Sequence, residues 1–229
     1  MRLLAIDTST DACSAALLYD GAVLSRYQLA PRLHADLILG MVQAVLDESG
    51  LILRHLDALA FCRGPGSFTG LRIAAGVAQG LAFASDLPVI PVSSLATMAQ
   101  QCWQEQQKTR VLAGLDARLG EVYWGQYMLN DRVMCLLGDE RVCHPDAVFL
   151  PDGQDWYGVG PAWAVYSQVL VARLGSHCQA YDDELLPNAA YMLELARHDW
   201  QNGRIYPAEQ AQPVYLRNKV TDSGAAARG

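Results

Sequence analysis

Near the start of the chain, the segment Leu3-Leu4-Ala5-Ile6-Asp7-Thr8-Ser9-Thr10-Asp11 has the pattern from which the fold can be predicted. Its apolar residues end in a carboxylate and a polar turn, and a second apolar run, Ala12–Tyr19, follows directly. Short apolar runs bounded by Gly, Asp, Ser or Thr predict strands joined in hairpins. After the turn Asp20-Gly21, a third run covers Ala22–Leu29. The chain is therefore predicted to begin with three consecutive strands.

The remainder of the first half alternates helical and strand-like patterns. Apolar residues recur at helical spacing over Leu33–Glu48, and a compact strand pattern at Ala58–Cys62 leads into a glycine-rich loop and a second helix that ends near Ala84. Another strand is predicted at Pro88–Val92, and Ser93 or Ser94 can cap a helix that ends near Trp103. The order βββαβαβα predicts a mixed-sheet α/β unit over residues 1–103.

The second half repeats the opening of the first. Val111–Leu115 is an apolar run that ends in Asp116, and a second run follows from Glu121, so Asp116 aligns with Asp7 at an offset of 109 residues. This overlay predicts an internal duplication. The polar stretch 104–109 is the predicted boundary, with a smaller α/β domain over 109–187. A helix, an extended segment at Pro213–Arg217 and a tail are predicted over 188–229.

Composition and charge limit the class of protein. The chain has 229 residues, 52% of them apolar and 18% charged, which indicates a folded protein of one large or two small domains. A net charge of −7 gives phosphate backbones no overall attraction. The apolar run at 73–84 is shorter than the roughly 20 residues of a membrane span. The cysteines include no CxxC pair, which favours a cytoplasmic protein. The histidines show no HxxxH spacing, so no histidine-built metal site is expected.

The turn Asp7-Thr8-Ser9-Thr10 is the first candidate site. A carboxylate at a strand end followed by three hydroxyl residues can present N–H and O–H donors to a phosphate, while the carboxylate holds a metal ion or water. The alternative is structural, because Asp, Ser and Thr are common turn residues that bond their own backbone.

A glycine-rich loop between a strand and a helix is the second candidate. It comprises Gly64, Pro65, Gly66, Ser67, Phe68, Thr69 and Gly70 and continues into Leu71 and Arg72. Its position is typical of anion-binding loops, but it matches neither GxxxxGK[ST] nor GxGxxG. The alternative is a tight turn whose glycines permit close packing and whose Ser67 or Thr69 caps the helix.

The helix after this loop is apolar on all sides. Between Leu71 and Ala84 only Arg72 and Gln79 are polar, and five residues are Ala or Gly at alternating positions from Ala74 to Ala82. Such a helix needs a cover on more than one face, which either the 33–48 helix or a second protein can supply. At the opposite end of the chain Arg204, Arg217, Lys219 and Arg228 give a local positive bias, predicted as a solvated tail, with an RNA contact as the alternative.

Three motifs together resemble one family. Leu4–Thr10, Gly64–Arg72 and Pro213-Val214-Tyr215-Leu216-Arg217 closely resemble the TsaB (YeaZ) family, which serves tRNA threonylcarbamoyladenosine biosynthesis in bacteria. The resemblance implies a duplicated actin/hexokinase/Hsp70-like fold of ribonuclease-H type, with mixed sheets and flanking helices. It also implies a paralogue of TsaD, which transfers a threonylcarbamoyl group to N6 of adenosine 37 in tRNAs that read ANN codons. Where TsaD carries its HxxxH pair, the segment Thr97–Trp103 has no histidine.

The resemblance therefore implies a non-catalytic scaffold that pairs with TsaD, has TsaE as a further partner, forms a homodimer when alone and meets tRNA indirectly. ATP or ADP is expected only in the complex, and Asp7, Thr8, Ser9 and Thr10 become a degenerate phosphate loop. The expected partner interface comprises His34, Leu37, Leu39 and Gly40 of the first helix and Ile73, Ala74, Gly76, Val77, Gly80 and Leu81 of the second. The rival hypothesis is an enzyme of the same fold, either an ATP-dependent phosphotransferase or a metallopeptidase, with Asp7 as its key carboxylate.

Overall fold

The computed structural model describes residues 1–217, except for the side chain at position 179. Its first sheet contains β1 (Leu3–Asp7), β2 (Ala12–Tyr19), β3 (Ala22–Leu29), β4 (Ala58–Gly64) and β5 (Val89–Ser93), in the order β3-β2-β1-β4-β5. The first three strands are antiparallel neighbours, and β4 and β5 continue parallel to β1. The helices of this half are α1 (His34–Ser49), α2 (Phe68–Ser85) and α3 (Ser94–Gln106). The predicted element order is thus confirmed.

The second sheet repeats this topology. It contains β6 (Arg110–Arg118), β7 (Glu121–Asn130), β8 (Val133–Leu136), β10 (Trp156–Val159) and β11 (Cys178–Asp182), with β9 (Arg141–Cys143) paired to β7. The order is β11-β10-β6-β7-β8, again with three antiparallel strands and two that are parallel to the first. Both halves therefore share one topology, and the chain has the duplicated actin/hexokinase/Hsp70-like architecture.

The two halves differ in their helices. The second half contains α4 (Ala162–Leu174) and α5 (Ala189–Gln201), which correspond by position to α2 and α3. Between β8 and β10, where a counterpart of α1 would lie, the described chain has β9 and a single 3-10 turn at Pro145–Ala147. The pair α1 and α2 is consequently a feature of the first half alone.

The last helix of each half packs on the sheet of the other half. Leu95, Met98 and Cys102 of α3 lie in one apolar cluster with residues of β6 and β7. Met192 and Ala196 of α5 lie in another with residues of β1 and β2. The polar stretch at 104–109 separates the two sheets in sequence, but these crossed helices interlock the halves in space. Among residues 1–217 no helix is both long enough and apolar enough to cross a membrane.

Three short strands, β8, β9 and β11, were not predicted from the sequence. β8 and β9 contain four and three residues, and β11 follows a 3-10 turn at Gly175–His177. Strands this short are stabilised by their neighbours in the sheet and carry no periodic pattern of their own. The extended segment predicted at Pro213–Arg217 forms no strand and lies against the end of β4.

Candidate functional site

The two N-terminal motifs of the sequence analysis pack directly on one another. The backbone N–H of Ser67 donates to the carbonyl of Ser9 over 2.7 Å, and the hydroxyl of Thr8 donates to the carbonyl of Gly70 over 2.7 Å. A Cβ atom at Gly66 would lie closer than 3.0 Å to the carbonyl oxygen of Ser9, and one at Gly70 closer than 3.0 Å to the carbonyl oxygen of Thr8. The glycines therefore serve the close approach of two backbones, as the alternative interpretation of this loop predicted.

Asp7 is completely buried at the end of β1 and bonds its own turn. Its Oδ1 atom accepts hydrogen bonds from the backbone N–H of Ser9 over 2.8 Å and from the Ser9 hydroxyl over 2.7 Å. Its Oδ2 atom has no hydrogen-bond partner among residues 1–217. Burial raises the pKa of Asp7, and the hydrogen bonds from Ser9 offset part of that rise.

The first two backbone donors of the turn after Asp7 are bonded within the chain. Thr8 and Ser9 are buried, and Thr10 is half-buried. The N–H of Thr8 donates to the Cys62 sulfur over 3.4 Å, while the N–H of Ser9 is taken by Asp7. In this conformation these two donors are not available to a phosphate.

The pKa of Asp7 gives a prediction on stability. Because the folded-state pKa lies above the unfolded value, the stability that Asp7 contributes is complete in acid and is lost as pH rises through the folded pKa. Asp7→Asn keeps an oxygen for Ser9 and removes the buried charge. We expect its free energy of unfolding, relative to the unchanged chain, to increase from pH 4 to pH 7 in urea denaturation. The exposed Asp11→Asn serves as the control, and a relative loss for Asp7→Asn at pH 7 would refute the prediction.

The loop's hydroxyl and aromatic residues have separate roles. The Ser67 hydroxyl accepts from the N–H of Gly70 over 3.3 Å and caps α2, as predicted. Pro65 is buried, whereas Thr69 is exposed. Phe68 is 56% exposed, and the guanidinium of Arg72 lies 3.7 Å from the centre of its ring. The last turn of the motif thus presents an aromatic and basic surface instead of backbone donors.

Most residues of the expected partner interface reach the surface. Leu39 is 52% exposed, and the other large apolar residues where α1 and α2 meet are half-buried against the core. We define the α1–α2 surface as Leu37, Leu39, Gly40, Met41, Ile73, Gly76, Val77, Gly80 and Leu81.

Two residues of that interface must be removed from it. Ala74 is completely buried in the core that α2 shares with β1, β4 and α5, and His34 is 7% exposed at the start of α1. The helical pattern predicted a helix that is apolar all round, but it could not show which side the sheet covers. A charge at Ala74 would disrupt the core of this chain, so only surface positions such as Val77 can test pairing.

Three glycines of the α1–α2 surface have no internal purpose. A Cβ atom at Gly40, Gly76 or Gly80 would meet nothing within 4 Å, and all three positions are exposed. Glycine in a helix costs about 0.5 to 1 kcal/mol relative to alanine. Packing within the chain therefore does not require glycine at these three positions.

A buried ionic cluster joins the halves, and the sequence analysis did not find it. The Glu140 carboxylate accepts hydrogen bonds from Arg63 over 3.1 Å, from Tyr127 over 2.5 Å and from Ser93, and its side chain is 4% exposed. Burial raises the pKa of Tyr127, and the nearby Glu140 carboxylate raises it further. The cluster lies at a groove of about 260 Å³ between the halves. A single glutamate after Gly138-Asp139 gives no pattern from which this role could be predicted.

The basic residues near the C-terminus are engaged where they are described. Arg204 pairs with Asp199 over 2.7 Å, and Arg217 pairs with Glu121. Lys219, Arg228 and the predicted tail lie outside the described residues. Within residues 1–217 no group of three or more His, Cys, Asp or Glu side chains is arranged to hold a metal ion.

Comparison with known proteins identifies the family. The chain is 45% identical to the tRNA threonylcarbamoyladenosine biosynthesis protein TsaB of Haemophilus influenzae, over 96% of this chain and 95% of that protein. It is also 45% identical to the protein of the same name from Escherichia coli, over 96% of both chains. The chain belongs to the TsaB (YeaZ) family. A solved structure of YeaZ from Pseudomonas aeruginosa matches with a TM-score of 0.89 and 51% identity, over 94% of this chain and 99% of that one.

A broader family relation includes the transferase. The family model described as TsaD, tRNA N6-adenosine threonylcarbamoyltransferase, matches residues 26–224. TsaB-family and TsaD-family chains are thus related in sequence over most of this chain. The resemblance drawn from the three motifs is confirmed.

Proposed function

We propose that this chain acts in the biosynthesis of threonylcarbamoyladenosine in tRNA, as a non-catalytic subunit that activates a TsaD-family transferase by pairing with it. The pathway is supported by the names of its TsaB relatives in H. influenzae and E. coli. In this proposal TsaE is a further partner, tRNA is bound through the transferase, and ATP or ADP binds only in the complex. Alone, the chain forms a homodimer through the same surface. Its place of action is the cytoplasm.

The observation that carries the proposal is the α1–α2 surface. It combines half-buried apolar side chains with three exposed glycines that leave open space beside the helix backbones. Exposed apolar patches mark sites of association, and glycine permits helices of two proteins to approach closely. The cost of the glycines to this chain is offset only when a partner fills that space.

The sequence relation between this chain and the TsaD family supports a TsaD-family partner at this surface. The family model that matches this chain is the one described as the transferase itself. Chains that share a fold present equivalent helices, so a surface that allows two copies to pair through a two-fold axis also fits a paralogue in place of the second copy. Formation of the homodimer and binding of the transferase then exclude one another, because both use the same surface.

The non-catalytic part of the proposal rests on how the chain uses its polar residues. In the turn after β1 the N–H of Thr8 is bonded to Cys62 of β4, and the N–H of Ser9 is bonded to Asp7. In α3, where the resemblance places the transferase's histidine pair, Gln100 instead accepts from the N–H of Met134 and donates to the carbonyl of Arg132, each over 2.9 Å. This side chain holds α3 to the β7–β8 hairpin. The absence of histidine from Thr97–Trp103 and the packing role of Gln100 support a non-catalytic subunit.

Gly76→Ala combined with Gly80→Ala separates folding from pairing. Both added methyl groups enter open space, so we expect the isolated chain to gain about 1 to 2 kcal/mol in stability and a few degrees in Tm. The same methyl groups occupy the space for the partner helix, and we expect at least about a tenfold weaker complex. Thermal melting of the chain and light scattering of its mixture with TsaD from the same organism measure the two effects.

The exposed glycine in the turn between β2 and β3 provides a matched control. Gly21 is not part of the α1–α2 surface and has a φ of 85°, so Gly21→Asn, a residue that tolerates this conformation, tests a glycine replacement outside that surface. It is expected to pair like the unchanged chain. Should the Gly76/Gly80 variant also pair with unchanged affinity, the α1–α2 surface is not the interface.

A further inference from the structure

The segment Pro213–Arg217, which we call the strap, is anchored on the first half of the chain. The N–H of Val214 donates to the carbonyl of Arg63 over 2.8 Å. The strap lies so close to β4 that a Cβ atom at Gly64 would stand 3.1 Å from the carbonyl oxygen of Val214. Gly64 also has a φ of 108°, a conformation that side chains rarely adopt, so glycine is required there on both grounds.

Aromatic contacts extend this anchor along the start of α2. The ring of Tyr215 lies 5.7 Å from that of Phe68, and Arg72 covers Phe68 while its Nε–H donates to the Tyr215 hydroxyl over 3.2 Å. Arg72, Phe68 and Tyr215 are thus one interlocked group. Two of the three motifs that carry the family resemblance meet here.

The far end of the strap is bound to the second half. The guanidinium of Arg217 forms an ion pair with Glu121 at the start of β7 and donates to the carbonyl of Arg118 at the end of β6 over 3.5 Å. The two paired side chains are 20% and 26% exposed. The β6–β7 turn is the counterpart of the β1–β2 turn in the duplicated fold. The glycine-rich loop packs on the β1–β2 turn. The strap therefore connects this loop to the β6–β7 turn, the equivalent turn of the other half.

We propose that the strap acts as a clasp, which holds the two hairpin turns of the duplicated fold together through the ion pair of Arg217 with Glu121. The crossed helices α3 and α5 join the halves on their inner faces, whereas the strap joins them at the turns. A partly shielded ion pair is worth more than an exposed one because water screens it less. Release of Arg217 frees the β6–β7 turn while the cores of both halves stay intact.

Charge reversal tests the clasp on the isolated chain. We expect Arg217→Glu to place two carboxylates together and to accelerate amide hydrogen exchange about tenfold in the β6–β7 turn and in the loop at 64–70. Glu121→Arg alone should have a similar effect. The double variant restores opposite charges and is expected to return exchange to within about twofold of the unchanged chain. Exchange in β1 and β4 should not change in any of these variants.

Arg204→Glu is the matched control, because Arg204 pairs with Asp199 at the end of α5 and makes no contact with the β6–β7 turn. It should leave exchange in that turn unchanged. If Arg217→Glu also leaves it unchanged, or if the double variant fails to restore it, the clasp is overturned. Because the experiment needs no partner, its result is independent of whether the chain pairs with a transferase.

Discussion

Gly70→Ala is expected to lower the free energy of unfolding by about 3 kcal/mol or more, the largest effect on stability expected in this chain. The new Cβ atom would stand inside 3.0 Å of the carbonyl of Thr8, an atom of the backbone that cannot rotate away. The same carbonyl belongs to the turn that contains Asp7. To admit the methyl group, α2 must shift from β1, and the hydrogen bond from the Thr8 hydroxyl to the Gly70 carbonyl is then lost.

Urea denaturation of Gly70→Ala, alongside Gly80→Ala, measures this effect. Both glycines belong to α2, but a Cβ atom at position 80 meets nothing within 4 Å. The control is therefore expected to be more stable than the unchanged chain by about 0.5 to 1 kcal/mol, so the two variants should move in opposite directions. Equal midpoints for Gly70→Ala and the unchanged chain would show that the two motifs do not pack as described.

Val77→Arg is expected to weaken pairing with the TsaD-family subunit by about a hundredfold or more, the largest effect on association. Val77 belongs to the α1–α2 surface, is half-buried against the core and lies one turn of α2 from both Ile73 and Leu81. A guanidinium there would be desolvated by the partner without an opposite charge to receive it. In the free chain the side chain can extend into water, so folding is retained.

Gln79→Arg provides the same charge on the same helix. Two residues along α2 turn the side chain by about 200°, so position 79 faces away from Val77 and is exposed. This variant is expected to pair normally. Light scattering with TsaD from the same organism measures both variants, and circular dichroism confirms that each is folded. A folded Val77→Arg chain that forms the complex with unchanged affinity would remove the α1–α2 surface from the proposal.

Local chemistry made much of the fold predictable. β2 and β3 span the residues that the apolar runs and turn signals predicted, and Ser67 and Ser93 cap the helices for which they were proposed. The overlay of Asp7 on Asp116 anticipated the shared topology of the sheets, because the same apolar run and polar turn recur at one offset. Such patterns depend only on residues that are close together in the sequence, so they can be recognised without the tertiary structure.

Contacts between distant residues were not predictable in the same way. Gly70 lies 62 residues from Thr8, Glu140 lies 77 from Arg63, and Arg217 lies 96 from Glu121. No periodicity links such positions. The burial of Ala74 likewise depends on the side of α2 that the sheet occupies.

The amino-acid sequence was enough to identify an acidic, duplicated α/β chain of the TsaB family, with strands, helices and caps largely at their predicted places. The roles of its motifs became visible only in the packed chain. There the Asp7 turn packs on the glycine-rich loop, the open glycines of α1 and α2 lie on the surface, and Arg217 reaches the other half. The physical reason is that strand and helix formation depends on near neighbours, whereas burial, ion pairing and shape arise only when remote segments pack together.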